Sequence, residues 1–525
     1  MQKLVFILFL FSSICLNTFG QKNLSFLGNL QYNQKVNDIW GYTDDNGNEY
    51  ALVGGTTGTS IVDISNPTAP TPLFFIQGDT SIWRDIKTYQ NFAYVTNEEG
   101  GGLLIIDLSD LPNSIDFQNW KIDTVGYETA HNIFIDEFGY AYLLGSNIGN
   151  RGAIILDLNF SDKFKPPMVG IYDDKYVHDA FVRDNIMWTA EVYEGNFSVV
   201  DVSNKQQPII LARQRTSRGF THQVWLSDDD NYLITNDEKA GAYIDIYDVS
   251  NLNNIERLDK YRSHPDDNVI PHNTYFKGKD FFFTSYYRDG VTLVDATKKD
   301  NIVEVGYFDT SPLSSDDGFE GCWGVYPYLP SGNIIASDRE EGLFILSPTY
   351  KRAAYLEGII TDTSTNTPIK DMRVEIIGTN YIKESIFGGN YKIGVADEGF
   401  YDVRFSFPNC KTIIVSGIEL LEGLVYDLNI ETNCQIPVSI NSIEEKKPYQ
   451  ILPNPFKDKL SINIDQKSKL NSVTIYNASG KEIKKVKVNE NIGRLDFLNN
   501  WDAGTYFLTL EFEHKTYSET IIKTK

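Results

Sequence analysis

The sequence predicts an all-β protein: a seven-bladed β-propeller followed by two small β-sandwich domains. Three observations predict it. Aromatic residues make up 13% of the chain, with 31 Tyr and 31 Phe, a supply that suits strands better than helices. No long stretch repeats apolar residues at the 3.6-residue helical period. A strand phrase ending in Asp recurs, at Asp63, Asp107, Asp157, Asp201, Asp248 and Asp295, with separations of 44, 50, 44, 47 and 47 residues. That period fits one four-stranded blade per repeat. A seventh phrase at 344–347 lacks the Asp.

The repeat dictates its own turns. An Asp at the strand end caps the following turn through its carboxylate. Hairpins between the first two strands carry turn chemistry, as at Asn46-Gly47 and in the SGN tripeptide at 331–333. Asp44, Asp45 and Asn46 have only part of a calcium-loop spacing and read as a solvated hairpin tip. Residues 24–30 precede the first full repeat and resemble the fourth strand of a blade, whereas the last repeat lacks one. The N-terminal strand is therefore expected to complete the seventh blade and remove exposed sheet edges.

Length and composition divide the 525 residues into several domains. Residues 1–20 read as a signal peptide: Lys3, an apolar run over 4–11, then small residues to Gly20. Cys15 invites a lipoprotein reading, but Ser12, Ser13 and Ile14 before it do not make a lipidation site. No other segment is apolar and long enough to span a bilayer, so no transmembrane segment is expected in the mature chain. The net charge is -24, which argues against nucleic acid as a partner. The last 75 residues differ: 451–525 hold 12 basic and 9 acidic side chains, against 35 and 62 in the rest. That shift marks a domain boundary. The propeller is assigned to 21–350, a sandwich to 353–434, a linker to 435–450 and a final domain to 451–525. Cys410 and Cys434 are the candidate disulfide of an exported domain, with Cys322 left over; two buried reduced thiols are the alternative.

The chemistry centres on histidine. Four of the six His fall at one place in the repeat, the start of the innermost strand: His131, His178, His222 and His272. The other repeats have Asn37, Arg84 and Trp323 there, and the seven anchors are 47, 47, 47, 44, 50 and 51 residues apart. In a propeller these strands begin at one mouth of the central channel. Second strands return to that face with acids at their exits, including Glu98, Glu191, Asp237 and Glu238, while Asp179 follows His178 directly. Imidazoles ringed by carboxylates would suit one divalent transition metal as cofactor, and a metal with an open position could activate water. The competing reading is structural: each His hydrogen-bonds the next blade and locks the ring. Two functions follow. One is a binding module for an unknown extracellular ligand. The other is a metal-dependent hydrolase or oxidase using His131, His178, His222 or His272 with Asp179, Glu191, Asp237 or Glu238. No P-loop, zincin helix, nucleophile elbow or CxxC pair is present to name another chemistry. His264 lies off the repeat.

Specific motifs add resemblances. FTHQVWL at 220–226, the NDE loop at 236–238 and GVYPYLPSGN at 324–333 resemble the choice-of-anchor B family of LVIVD-repeat propellers, over roughly 24–348. Cys322 stands where that family would be expected to have a small residue such as Ala. The resemblance implies varied C-terminal surface anchors and no settled activity. Residues 353–434 resemble the carboxypeptidase regulatory-like, transthyretin-type domain, which implies an accessory role. PNPF at 453–456, VTIYNASGK at 473–481, AGTYF at 503–507 and the terminal KTK resemble the type A sorting domain of the type IX secretion system of Bacteroidetes. This implies the type IX machinery as a partner, export to the outer cell surface or beyond, and removal of the domain.

Overall fold

The computed structural model describes residues 20–524 apart from 123–124, 265–267, 315–316, 435–446, 466–467, 478–480, 489–492, 499–500 and 514. The signal-peptide assignment, Cys15, most of the expected linker and the Ala478–Gly480 part of the third-domain motif lie outside the described residues. Among the described residues there is no α-helix, only a short 3₁₀ turn at Phe387–Gly389. The chain divides after residue 435 into two compact units.

In the first unit, seven antiparallel sheets follow one another; six contain a four-strand meander in chain order, and the last has three consecutive strands and a fourth from the N-terminus. Their innermost strands are Val36–Thr43, Ile86–Tyr89, Asn132–Ile135, Asp179–Arg183, Thr221–Leu226, Asn273–Lys277 and Cys322–Tyr326. Each lies beside the next, and the last beside the first. We number the sheets as blades one to seven. The N-terminal strand Leu24–Leu30 pairs with Gly342–Pro348, Leu24 opposite Pro348 and Leu30 opposite Leu343. It supplies the outer strand of blade seven. Gln21–Lys22 adds a short edge to blade six.

Each strand-terminal Asp does what its position predicts. Asp63, Asp107, Asp157, Asp201, Asp248 and Asp295 each accept the amide of the residue two further on, at 2.8–2.9 Å. The bond ends the strand by satisfying a donor that would leave the ladder. Asp44 is likewise spent on the amides of Asn46 and Asn48, at 2.9 and 2.8 Å. Glycine in the outer strands has a packing cause. A Cβ on Gly28 would meet the Pro67 carbonyl oxygen at 2.2 Å, and one on Gly170 the Lys205 carbonyl at 1.8 Å. At both places the neighbouring blade's backbone presses directly on the strand. Blade interfaces are filled by residues such as Ile61, Ile105, Ile155, Val199, Ile246 and Leu293, all buried, as expected of strands covered on both faces.

The small sandwich packs two sheets. One is centred on Ala354–Asp362; the other runs Ile382–Glu384, Arg373–Ile376, Gly399–Ser406, Ile413–Leu420. Leu356, Val374, Tyr391, Val403 and Phe405 fill its core. Cys410 and Cys434 form a disulfide that closes a 24-residue separation, and Cys322 is a buried free thiol. The sandwich is fixed to the propeller at Asp295, whose second oxygen accepts the Ala353 amide at 2.8 Å and the Tyr355 hydroxyl at 2.7 Å.

The second unit packs a three-stranded sheet against a four-stranded one around Leu460, Ile462, Val473, Ile475, Leu508 and Leu510. Its first strand is Tyr449–Leu452, so ordered structure begins slightly before the 450/451 boundary read from composition. Asn454 explains the PNPF motif: its side chain donates to the Thr520 carbonyl at 2.8 Å and accepts the Ile522 amide at 2.9 Å. Phe456 beside it is buried.

Candidate functional site at the channel mouth

The four anchor imidazoles form a continuous arc. Ring centroids are 4.1 Å apart for His131–His178, 4.2 Å for His178–His222 and 4.6 Å for His222–His272, and His272 lies 4.5 Å from Trp323. Residues from five blades thus meet at one opening. A register shift between Thr221 and Gln223 accompanies the placement of His222 inside its strand, whereas the other three His immediately precede theirs.

Hydrogen bonding fixes the tautomers. His178 Nδ1 donates to the His222 carbonyl at 2.9 Å, and His272 Nδ1 to the Trp323 carbonyl at 2.5 Å. A carbonyl only accepts, so each Nδ1 carries the proton and each Nε2 presents a lone pair. His131 Nδ1 faces Glu98 Oε1 at 2.7 Å. Burial would raise the Glu98 carboxyl, but the His131 bond, the His131 charge and Arg151 hold it below the usual range. His222 Nδ1 is buried without a hydrogen bond of ordinary geometry. Burial first, then the neighbouring imidazoles, hold His178 and His222 well below the ordinary imidazole value, and His272 falls to about 3. The arc is neutral.

The sequence-expected acids separate. Glu238 reaches the imidazoles, with Oε2 3.8 Å from His222 Nε2 and Oε1 4.0 Å from His272 Nε2. Tyr287 donates its hydroxyl to Oε1 at 2.6 Å. Burial lifts Glu238 to about 7, with the Tyr287 bond opposing. Asp237 instead accepts Thr216 Oγ1 at 2.6 Å and the amides of Arg218 and Phe220 at 2.6 and 3.0 Å, holding the loop into its own blade. Glu191 faces Ser198 and Arg213 within blade four. Asp179 sits one layer down the channel. His264 is elsewhere, paired with Asp289 at 2.9 Å beside a cleft of about 1280 Å³ between blades five and six and the sandwich.

Beneath the arc, period-two alternation stacks two further layers. The residue after each anchor forms a polar layer: Asp38, Asp85, Asn132, Asp179, Gln223 and Asn273, with Gly324 leaving room for Asp38. Asp85 Oδ2 accepts the Ile133 amide of the next blade at 2.8 Å, and Gln223 caps Thr274 likewise. Lys87 Nζ pairs with Asp85 at 2.6 Å, both side chains under 10% exposed. Burial and the Asp85 charge push the Asp38 carboxyl well above the ordinary carboxylate range, and the same two causes raise Asp179 to about 7. The third residue after each anchor gives six aromatics and Lys87. Trp40 and Tyr275 stand 6.4 Å apart and Phe134 and Trp225 5.9 Å, although neither pair comes from adjacent blades. Rings that meet across the axis form an aromatic floor. Trp40 and Trp225 belong to it. Lys87, Tyr287 and the floor were not among the sequence candidates; the i+3 position after each anchor carries the signal that would have found Lys87 and the floor, whereas Tyr287 follows the second strand Phe281–Tyr286.

Residues 450–524 match the family described as a secretion system C-terminal sorting domain, and residues 46–75 and 81–115 match the LVIVD repeat. The chain is exported by the type IX secretion system to the cell surface or beyond. No curated protein matches the chain. Among solved structures, the Cps50 (Swd1) β-propeller domain of Myceliophteria thermophila aligns with 62% of this chain and all of its own, at 10% identity and a TM-score of 0.45. Among the described residues no helix is long and apolar enough to cross a membrane.

Proposed function

We propose that this exported propeller is an extracellular binding module whose ligand is seated at the imidazole mouth of the channel. The observation that carries the reading is the layering of that channel: neutral Nε2 acceptors at the opening, buried carboxyls below, and aromatic rings meeting on the axis beneath. A closed floor under an unsaturated polar rim is a receptor-like arrangement, with polar groups placed to orient a ligand. The sorting domain delivers this face to the extracellular space and is removed there, and the carboxypeptidase regulatory-like sandwich serves as a fixed accessory.

Thermal shift of the mature exported protein against soluble oligosaccharides, peptides and free amino acids tests the reading. Ligands should raise the transition temperature of the wild type and fail with Glu98→Gln or Glu238→Gln. Shifts undiminished in both variants would place the seat elsewhere. The metal-dependent hydrolase or oxidase reading is favoured by one observation, the convergence of His222, His272 and Glu238. It requires turnover that a chelator abolishes.

A further inference from the structure

We propose that the mouth is a mononuclear site for a divalent transition metal, held by His222 Nε2, His272 Nε2 and a Glu238 carboxylate oxygen. The inference rests on the reading of the mouth as the binding seat and names what that seat takes first. One ligand atom from each of the three residues lies within 4.8 Å of the others. Donors bound to one ion at 2.0–2.1 Å stand about 3.4 Å apart in a tetrahedral shell. His222 Nε2 lies 3.8 Å from Oε2 and His272 Nε2 4.0 Å from Oε1, and with all three donors within 4.8 Å of one another the set needs to close by at most about 1.4 Å around an ion of that size.

The donor set selects the metal class. Two neutral imidazoles and one carboxylate suit zinc, cobalt, manganese or ferrous iron, while calcium and magnesium require oxygen shells. The outer contacts are already in place. His272 is oriented through Nδ1 by the Trp323 carbonyl, and that strand is braced by Asn236 donating to the His272 carbonyl at 2.6 Å. Glu238 is oriented by Tyr287 through Oε1, which leaves Oε2 toward His222. Ligands aimed by second contacts of this kind are characteristic of metal sites. The His222 and His272 side chains are only 5% exposed and that of Glu238 18%, so the opening admits an ion more readily than a bulky ligand. Three protein donors leave a coordination position for a group of the extracellular ligand. Glu238 binds as its carboxylate, and no covalent bond forms beyond coordination.

The test uses the full exported chain, stripped with a chelator and titrated calorimetrically with Zn²⁺ and Co²⁺, with Mg²⁺ and Ca²⁺ in parallel. One Zn²⁺ or Co²⁺ per chain is expected, with visible ligand-field bands from bound Co²⁺ and no heat from Mg²⁺ or Ca²⁺. Glu238→Gln should weaken Zn²⁺ binding at least about tenfold, and His222→Gln with His272→Gln should abolish it. Glu191→Gln and His264→Gln should bind as the wild type does. Absence of Zn²⁺ and Co²⁺ binding by the folded wild type overturns the proposal, as does undiminished binding by the double variant. If the double variant fails to fold, Glu238→Gln decides, because its amide can keep the Tyr287 contact. Repeating the ligand panel on stripped protein separates the two claims. Ligand binding without any metal uptake sinks the metal site alone; metal uptake without any ligand shift supports the metal site and sinks the binding module alone.

Discussion

His178 Nδ1 donates to the main-chain carbonyl of His222 at 2.9 Å, across the boundary between blades four and five. The bond means that an imidazole of this arc can lock blades and still present Nε2 to the channel. Locking and ligand binding, opposed as alternatives when only residue types are known, use different nitrogens. His178→Ala should lower stability by about 1–3 kcal/mol, since it removes the donor to a buried carbonyl. Urea unfolding of the exported protein measures this.

Lys87 stands among the six aromatics of the layer beneath the polar one, and it holds Asp85 at 2.6 Å. Lys87→Met should destabilise by about 3–5 kcal/mol, because it strands a buried carboxylate that also caps the next blade. Adding Asp85→Asn should recover most of the loss, since the amide still offers an oxygen to Ile133. Denaturant midpoints of the single and double variants give the coupling directly.

Asp295 and Asp107 occupy the same place in the repeat, yet Asp295 also takes Ala353 and Tyr355. Asp107→Ala should cost about 1 kcal/mol for its turn. Asp295→Ala should cost about 3 kcal/mol and expose the junction near residue 352 to protease. Limited proteolysis followed by mass spectrometry distinguishes the two variants.

Glu304 sits at the seam with the sandwich, where Tyr381 donates to its carbonyl at 2.7 Å. Burial raises its carboxyl from the ordinary 4.5 to about 7, with the Tyr261 hydroxyl bond opposing. The folded state therefore keeps a proton that the unfolded chain releases. Its contribution is full at pH values below the ordinary carboxyl range and is lost as pH rises through about 7. Glu304→Gln should flatten this part of the stability–pH curve, as read by denaturant midpoints between acidic and neutral pH.

The repeat was legible because single residues reported single geometric demands. The strand-end Asp reported a turn, and the lone strand before the first full repeat reported the closure of the last blade. The anchor spacing placed four imidazoles at one opening for the same reason. The acids were not equally legible. Glu191 lies inside its strand, opposite Asn196, whereas Glu238 lies one residue past the end of Tyr232–Asp237. Both read as acids at a strand exit, but a one-residue difference in register sends the side chains to different places. Asp237 shows the same effect beside Glu238. The polar layer was written in the residue after each anchor, where Asp38 and Asp85 could be seen without the pairing that makes them neighbours.

The most direct test of the account is the protonation state of the arc in metal-free protein. Nitrogen-detected NMR of selectively ¹⁵N-histidine-labelled chain should find His178 and His272 neutral at pH 7, protonated at Nδ1 with Nε2 bare, and His222 neutral. Nε2-protonated tautomers at His178 and His272, or imidazolium at His178, His222 or His272 at that pH, would contradict both the blade lock and the open acceptors on which the site depends.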